Sequence, residues 1–194
     1  MLYCAEPSND HPRGWFSLLL YNDLMNDDEL LDLVDKNDNV IGTIWRSKSN
    51  SLDETKAGYI RAATALIQND DGELWIPRRT ADKRIAPRGL DSSMQEHIGS
   101  GESYLEATIR GFKEELNLDV SEDQLEYVGT ISPDDELYYF VALYVYRSNV
   151  VPEYNPKDFV GYEWIKPEVL VSRLENGEPS KKSLLSTTKL LLQK

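Results

Sequence analysis

The stretch Ser103 to Leu118, SYLEATIRGFKEELNL, constrains this chain more than any other, because its pattern suits a helix and little else. Ser103 followed by Glu106 fits a capping box, in which the hydroxyl takes a first-turn N–H and the carboxylate reaches back to the cap. Asn117 suits the left-handed residue that ends a helix. Leu105, Ile109, Phe112 and Leu116 recur at i, i+4, i+7 and i+11, so they share one face, which must pack on a sheet. The other faces carry Arg110, Glu114 and Glu115, with Glu102 just ahead of the helix and Gly99 and Gly101 in the preceding loop. Adjacent carboxylates repel one another unless a cation is near, and oxygen donors of this kind are what Mg²⁺ or Mn²⁺ accepts. The competing reading is a solvated acidic face.

Around this helix the chain reads mostly as strands. Leu30–Val34 and Val40–Trp45 flank a polar turn, and Tyr59–Gln68 and Glu73–Pro77 flank Asn69-Asp70-Asp71-Gly72, a strong hairpin signal. Leu125–Ile131 and Glu136–Tyr146 have strand character again, whereas Glu168–Leu174 and Ser183–Leu192 read as helices separated by Asn176-Gly177-Glu178-Pro179. Strands with segregated helices predict an α+β protein built as an α/β/α sandwich with a mixed sheet. Residues 1–24 differ in character and read as an N-terminal extension, leaving 25–194 as the domain.

Composition narrows the function. Thirty-four Asp and Glu against 21 Lys and Arg give a formal charge of −13, which excludes a grip on long nucleic acid. The longest apolar runs fall short of the roughly 20 residues that a membrane helix needs. A single cysteine, Cys4, rules out an intrachain disulfide framework and favours a reducing compartment, so a cytoplasmic location is expected. Arg78, Arg79, Lys83, Arg84 and Arg88 form the one dense basic stretch, and guanidinium groups suit phosphate. Asp134, Asp135 and Glu136 mark an acidic turn.

The segment from Glu96 to Leu118 resembles the Nudix box: Gly, five residues, Glu, seven residues, Arg-Glu, an apolar residue, any residue, Glu-Glu, any residue, Gly and an apolar residue. Glu102, Arg110, Phe112, Glu114, Glu115 and Leu118 match without a gap, while Glu96, Gly111 and Asn117 depart from it. The likeness covers roughly Leu30 to Leu174. Lys83, Pro87, Leu90, Asp91 and His97 are similar to the subgroup of isopentenyl-diphosphate isomerases and their hydrolase relatives.

The resemblance implies Mg²⁺ or Mn²⁺ held by Glu115, Glu114 and Glu102, a base at Glu114 or Glu136, and Arg110 orienting the helix carboxylates. Arg78, Arg79 and Lys83 are the candidate substrate contacts. The implied activity is hydrolysis of a diphosphate linkage in a small nucleoside-diphosphate-like or other organic diphosphate, with a homodimer an allowed assembly. A glycine inside a helix costs about 1 kcal/mol relative to alanine. Gly111 also removes a usual ligand, which keeps open a second reading, a domain that binds a nucleotide or a protein without turnover. Isomerase activity is disfavoured, because Gln95 stands where the isomerases carry their catalytic cysteine.

Overall fold

The computed structural model describes residues 28–49, 57–134 and 137–194. Both the 1–24 extension and Glu136 lie outside them. The first hairpin forms as β1 (Leu30–Val34) and β2 (Val40–Trp45), followed by a short helix, α1 (Arg46–Ser49). Its turn is set by Asp35, whose carboxylate accepts the N–H groups of Asn37 and Asn39. The main sheet is built from β3 (Ile60–Gln68), β4 (Leu74–Arg79), β5 (Met94–His97), β6 (Leu125–Ile131), β7 (Tyr139–Arg147) and β8 (Phe159–Ile165). Its order is β6-β7-β3-β4-β8, with β5 also paired to β3. The β3–β7 pair is parallel and the others are antiparallel, which makes the sheet mixed as expected.

Period-two alternation sends residues of one strand to opposite layers. Ala65, Ile67, Trp75, Ala142 and Tyr144 pack with Phe112 and Leu116 of α2 (Tyr104–Leu116). Their neighbours Leu66, Leu74, Ile76 and Leu143 pack on the other face with α3 (Pro167–Glu175) and α4 (Lys182–Leu192) through Leu170, Leu174 and Leu184. The result is the three-layer sandwich. Strand β8 has no counterpart in the sequence-based reading; it is an edge strand whose Val160 is exposed and whose Glu163 interrupts the apolar pattern.

The Asn69–Gly72 turn forms with Gly72 at φ +73, yet β3 and β4 share only the Gln68–Leu74 register pair before they part. Strand β5 then takes over the freed edge of β3 from Ala62 to Ala65. Ser93 sits at the fork: its hydroxyl accepts the Ile67 N–H at 2.8 Å and donates to the Trp75 carbonyl at 2.7 Å. That satisfies two buried backbone groups which the diverging strands would otherwise strand without partners. The fork aims the end of β5 beneath α2.

Helix α2 carries the capping box and the left-handed Asn117 as read from the sequence. Its buried face is displaced from the expected stripe, however. Ala107, Thr108, Gly111, Phe112 and Leu116 are buried, whereas Leu105 and Ile109 are only half-buried. Close approach to β5 is the cause. A Cβ placed on Gly111 would stand 2.5 Å from Met94 Sδ and 2.7 Å from Glu96 Cγ. Met94 is fully buried and has little room to yield. Gly111→Ala should therefore destabilise the protein by about 1–3 kcal/mol, the usual cost of overpacking, and not stabilise it by helix propensity; chemical denaturation decides the sign.

An ion-pair cluster ties β4, β8 and α3 together. Arg78 reaches Glu163 and Glu178 at 3.1 and 2.8 Å, and Arg173 pairs with the same two carboxylates at 2.8 and 2.6 Å. Hydrogen bonding from Arg173 is the largest influence on Glu178 and outweighs partial burial, so its pKa falls to about 2. The unfolded chain thus takes up this proton at higher pH than the folded one. Stability present at neutral pH should be lost as pH falls from about 5 towards 2. Glu178→Gln should flatten that part of a denaturation-versus-pH curve.

Candidate active site

Hairpin β1–β2 fastens the loop that enters α2. Leu31 bridges to Gly99, and the Ser100 N–H donates to the Leu30 carbonyl. The buried Asp32 accepts the Ser100 hydroxyl at 2.9 Å and the Gly101 N–H at 3.3 Å, with Arg61 Nη1 3.6 Å away. Gly101 has φ +80, a conformation that an L side chain rarely adopts. These constraints place Glu102 opposite Arg110.

Arg110 is the hub of the site. Its Nε and Nη2 donate to the two oxygens of Glu102 at 2.9 and 3.0 Å, a bidentate fork, and Nη2 also reaches the His97 carbonyl at 2.9 Å. Its Nη1 lies 3.1 Å from Glu114 and 3.4 Å from Glu96. Glu102 also accepts the Gly99 N–H at 2.8 Å. Partial burial opposes ionisation of Glu102, but Arg110 and Gly99 together hold its carboxyl below the ordinary value. Glu102 and Glu114 are thus gathered on Arg110, bordering an open depression of about 650 Å³.

Glu115 stands apart from that pair. Its Oε2 accepts the Gln95 N–H at 3.4 Å, which sets it against the strand that carries Glu96. Desolvation, followed by the charge of Glu96, pushes Glu115 well above the usual carboxylate range, while Lys181 opposes the shift. Two desolvated carboxyls that act on each other this way call for a proton or a cation. All-oxygen chemistry suits a hard divalent ion. Among the described residues no three acidic, His or Cys side chains form a ready-made metal cage.

Beside this pair opens a cavity of about 430 Å³. Gln95, Glu96 and His97 of β5 contribute to one part of it, and Ile60, Ile85, Tyr138 and Tyr139 give it an apolar and aromatic wall. Four cations line it: Arg46 from α1, Arg79 from β4, and Lys181 and Lys182 from the start of α4. Arg79 and Lys181 share buried Asp91, and Arg46 pairs with Glu29, whereas Lys182 has no acidic partner among the described residues. Of the substrate contacts expected from the sequence, Arg79 alone lines this cavity. Arg78 belongs to the Glu163–Glu178 cluster, and Lys83 pairs with Asp158.

Arg46, Lys181 and Lys182 escaped the sequence-based reading, as did the role of Asp91 in holding two cations together. One signal was visible: Lys181-Lys182 opens a helix, where the backbone dipole favours acids over bases. Burial, then the charge of Arg46, lowers the pKa of His97 to about 4, and its Nδ1 is buried without a partner. His97 is therefore neutral at physiological pH. Nuclear magnetic resonance titration of its ring should show a midpoint near 4, and a midpoint near 6.5 would contradict this environment.

The fold and site define a class. The NUDIX domain family matches residues 58–187, and the chain belongs to that family. An uncharacterized Nudix hydrolase of Nostoc sp. is 38% identical over 168 residues, spanning 86% of this chain and 98% of the relative. A Nudix hydrolase of Deinococcus radiodurans is also 38% identical, over 81% of this chain and 90% of its own. The crystal structure of DR0079 from Deinococcus radiodurans superposes with a TM-score of 0.71 at 36% identity, covering 83% of this chain and 98% of that one. The protein is thus an enzyme of the Nudix pyrophosphohydrolase type. A protein named isopentenyl-diphosphate Delta-isomerase, from Paenarthrobacter aurescens, is 28% identical over 157 residues. No helix of the described residues is long and apolar enough to cross a membrane.

Proposed function

We propose that the protein hydrolyses a small organic diphosphate with the help of Mg²⁺ or Mn²⁺, bound at Glu115. The observation that carries this reading is the junction of the Glu96–Glu115 carboxyl pair with a cavity lined by four cations, in a chain whose net charge is −13. A diphosphate needs both halves. A divalent cation supplies charge neutralisation on the phosphoryl oxygens and acidifies water. Arg79 and Lys181, anchored together on Asp91, hold one phosphate, and Lys182 and Arg46 draw the anion in from the cavity mouth. Tyr138, Tyr139, Ile60 and Ile85 accept the organic group.

Arg110 acts by position. It balances Glu102 and Glu114 and fixes the His97 carbonyl, which keeps β5 and α2 in register beneath the cavity. Water adds to one phosphorus, the bridging P–O bond breaks, and two phosphorylated fragments leave. Gly111 does not argue for a binding-only domain, since its missing side chain is what lets Met94 and Glu96 pass. Isomerase chemistry lacks its thiol: Gln95 faces the cavity and accepts a hydrogen bond from Ser183 Oγ at 3.2 Å.

A panel of organic diphosphates, followed by phosphate release after phosphatase coupling, tests the reading. Turnover should require Mg²⁺ or Mn²⁺, stop on chelation, and fall by about a hundredfold or more in Glu115→Gln, the scale of losing one preorganised electrostatic contact. Unchanged turnover in that variant would refute it.

A further inference from the structure

Position 96 departs from the box by carrying a carboxylate in place of glycine, and position 111 departs by carrying glycine in place of a carboxylate. The structure joins the two departures. The Cβ that residue 111 lacks would fall 2.7 Å from Glu96 Cγ, so the side chain of Glu96 runs through the space that a residue at 111 would fill. Next to it on β5 the Gln95 N–H donates to Glu115 Oε2 at 3.4 Å, so this stretch of strand lies against Glu115, and Glu96 Oε2 lies 3.4 Å from Arg110 Nη1. Glu96 also lines the cationic cavity, as Glu114 and Glu102 do not.

We propose that Glu96 on β5 is a ligand of the divalent cation, replacing the carboxylate missing from position 111, with Gly111 as the opening that admits it. The ligand has moved from helix to strand. A carboxylate at 96 is useless to the cation if a side chain at 111 blocks its path, and a glycine at 111 leaves the site one donor short unless 96 supplies it. Neither departure is a defect once both are present. The cation then sits between β5 and α2, on the side of Arg110 that faces the cavity, and Glu102 and Glu114 keep their bonds to Arg110. This inference rests on the cation reading of Glu115 above, and its test is arranged so that the two can fail separately.

Mn²⁺ binding without substrate, followed by electron paramagnetic resonance or calorimetry, is the readout. Glu96→Gln should weaken Mn²⁺ binding by at least about tenfold. Binding unchanged in Glu96→Gln but lost in Glu115→Gln would overturn the role of Glu96 and leave the cation reading intact. No Mn²⁺ binding by the unsubstituted protein would overturn both. A measurement on the unsubstituted protein does not depend on any variant folding: substoichiometric Mn²⁺ should broaden the amide signals of Gln95 and Glu96 before those of Gly101 and Glu106. The reverse order would place the ion on the Glu102–Glu114 side and refute the proposal.

Discussion

The close packing of α2 on β5 at Gly111 is the contact on which the rest of the site depends. It lets Met94 and Glu96 slide beneath the helix. It thereby brings a strand carboxylate against a helix carboxylate, and it sets Arg110 within reach of the His97 carbonyl as well as Glu102 and Glu114. The fork between β3 and β4, plugged by Ser93, is what frees the edge of β3 for β5 to occupy that place. Fold and site therefore share one cause: a strand inserted where a hairpin opens.

Charge is distributed to match. Acidic groups dominate the chain, yet the cavity beside Glu96 collects Arg46, Arg79, Lys181 and Lys182 from three separate elements. Arg79 and Lys181 both spend part of their charge on Asp91, which holds them in place. A site that takes a negatively charged substrate next to carboxylates needs such a counterweight, because the acids alone would repel the substrate until a cation intervened.

Much of this was legible in the sequence, for physical reasons that differ from element to element. The capping box at Ser103, the left-handed Asn117 and the Asn69–Gly72 turn depend on residues within a few positions of each other, so local chemistry reveals them. Strand β8 was hidden because an edge strand needs only part of the apolar alternation, and its Glu163 is satisfied by arginines from β4 and α3. Arg78 and Arg79 are adjacent on β4, so alternation sends them to opposite faces, but sequence could not say which faces the cavity. Lys181 and Lys182 come from a distant part of the chain, and only tertiary structure delivers them. The helix stripe was misplaced by local periodicity because Gly111, with no apolar side chain, marks the closest contact.

The most direct measurement of the central claim is a crystal structure with Mn²⁺ and a non-hydrolysable imidodiphosphate, in which anomalous scattering locates the ion. An anomalous peak bonded to oxygens of both Glu115 and Glu96 is expected, with the diphosphate extending towards Arg79 and Lys181. A peak coordinated by Glu102 and Glu114 on the far side of Arg110, with the cationic cavity empty of diphosphate, would contradict it.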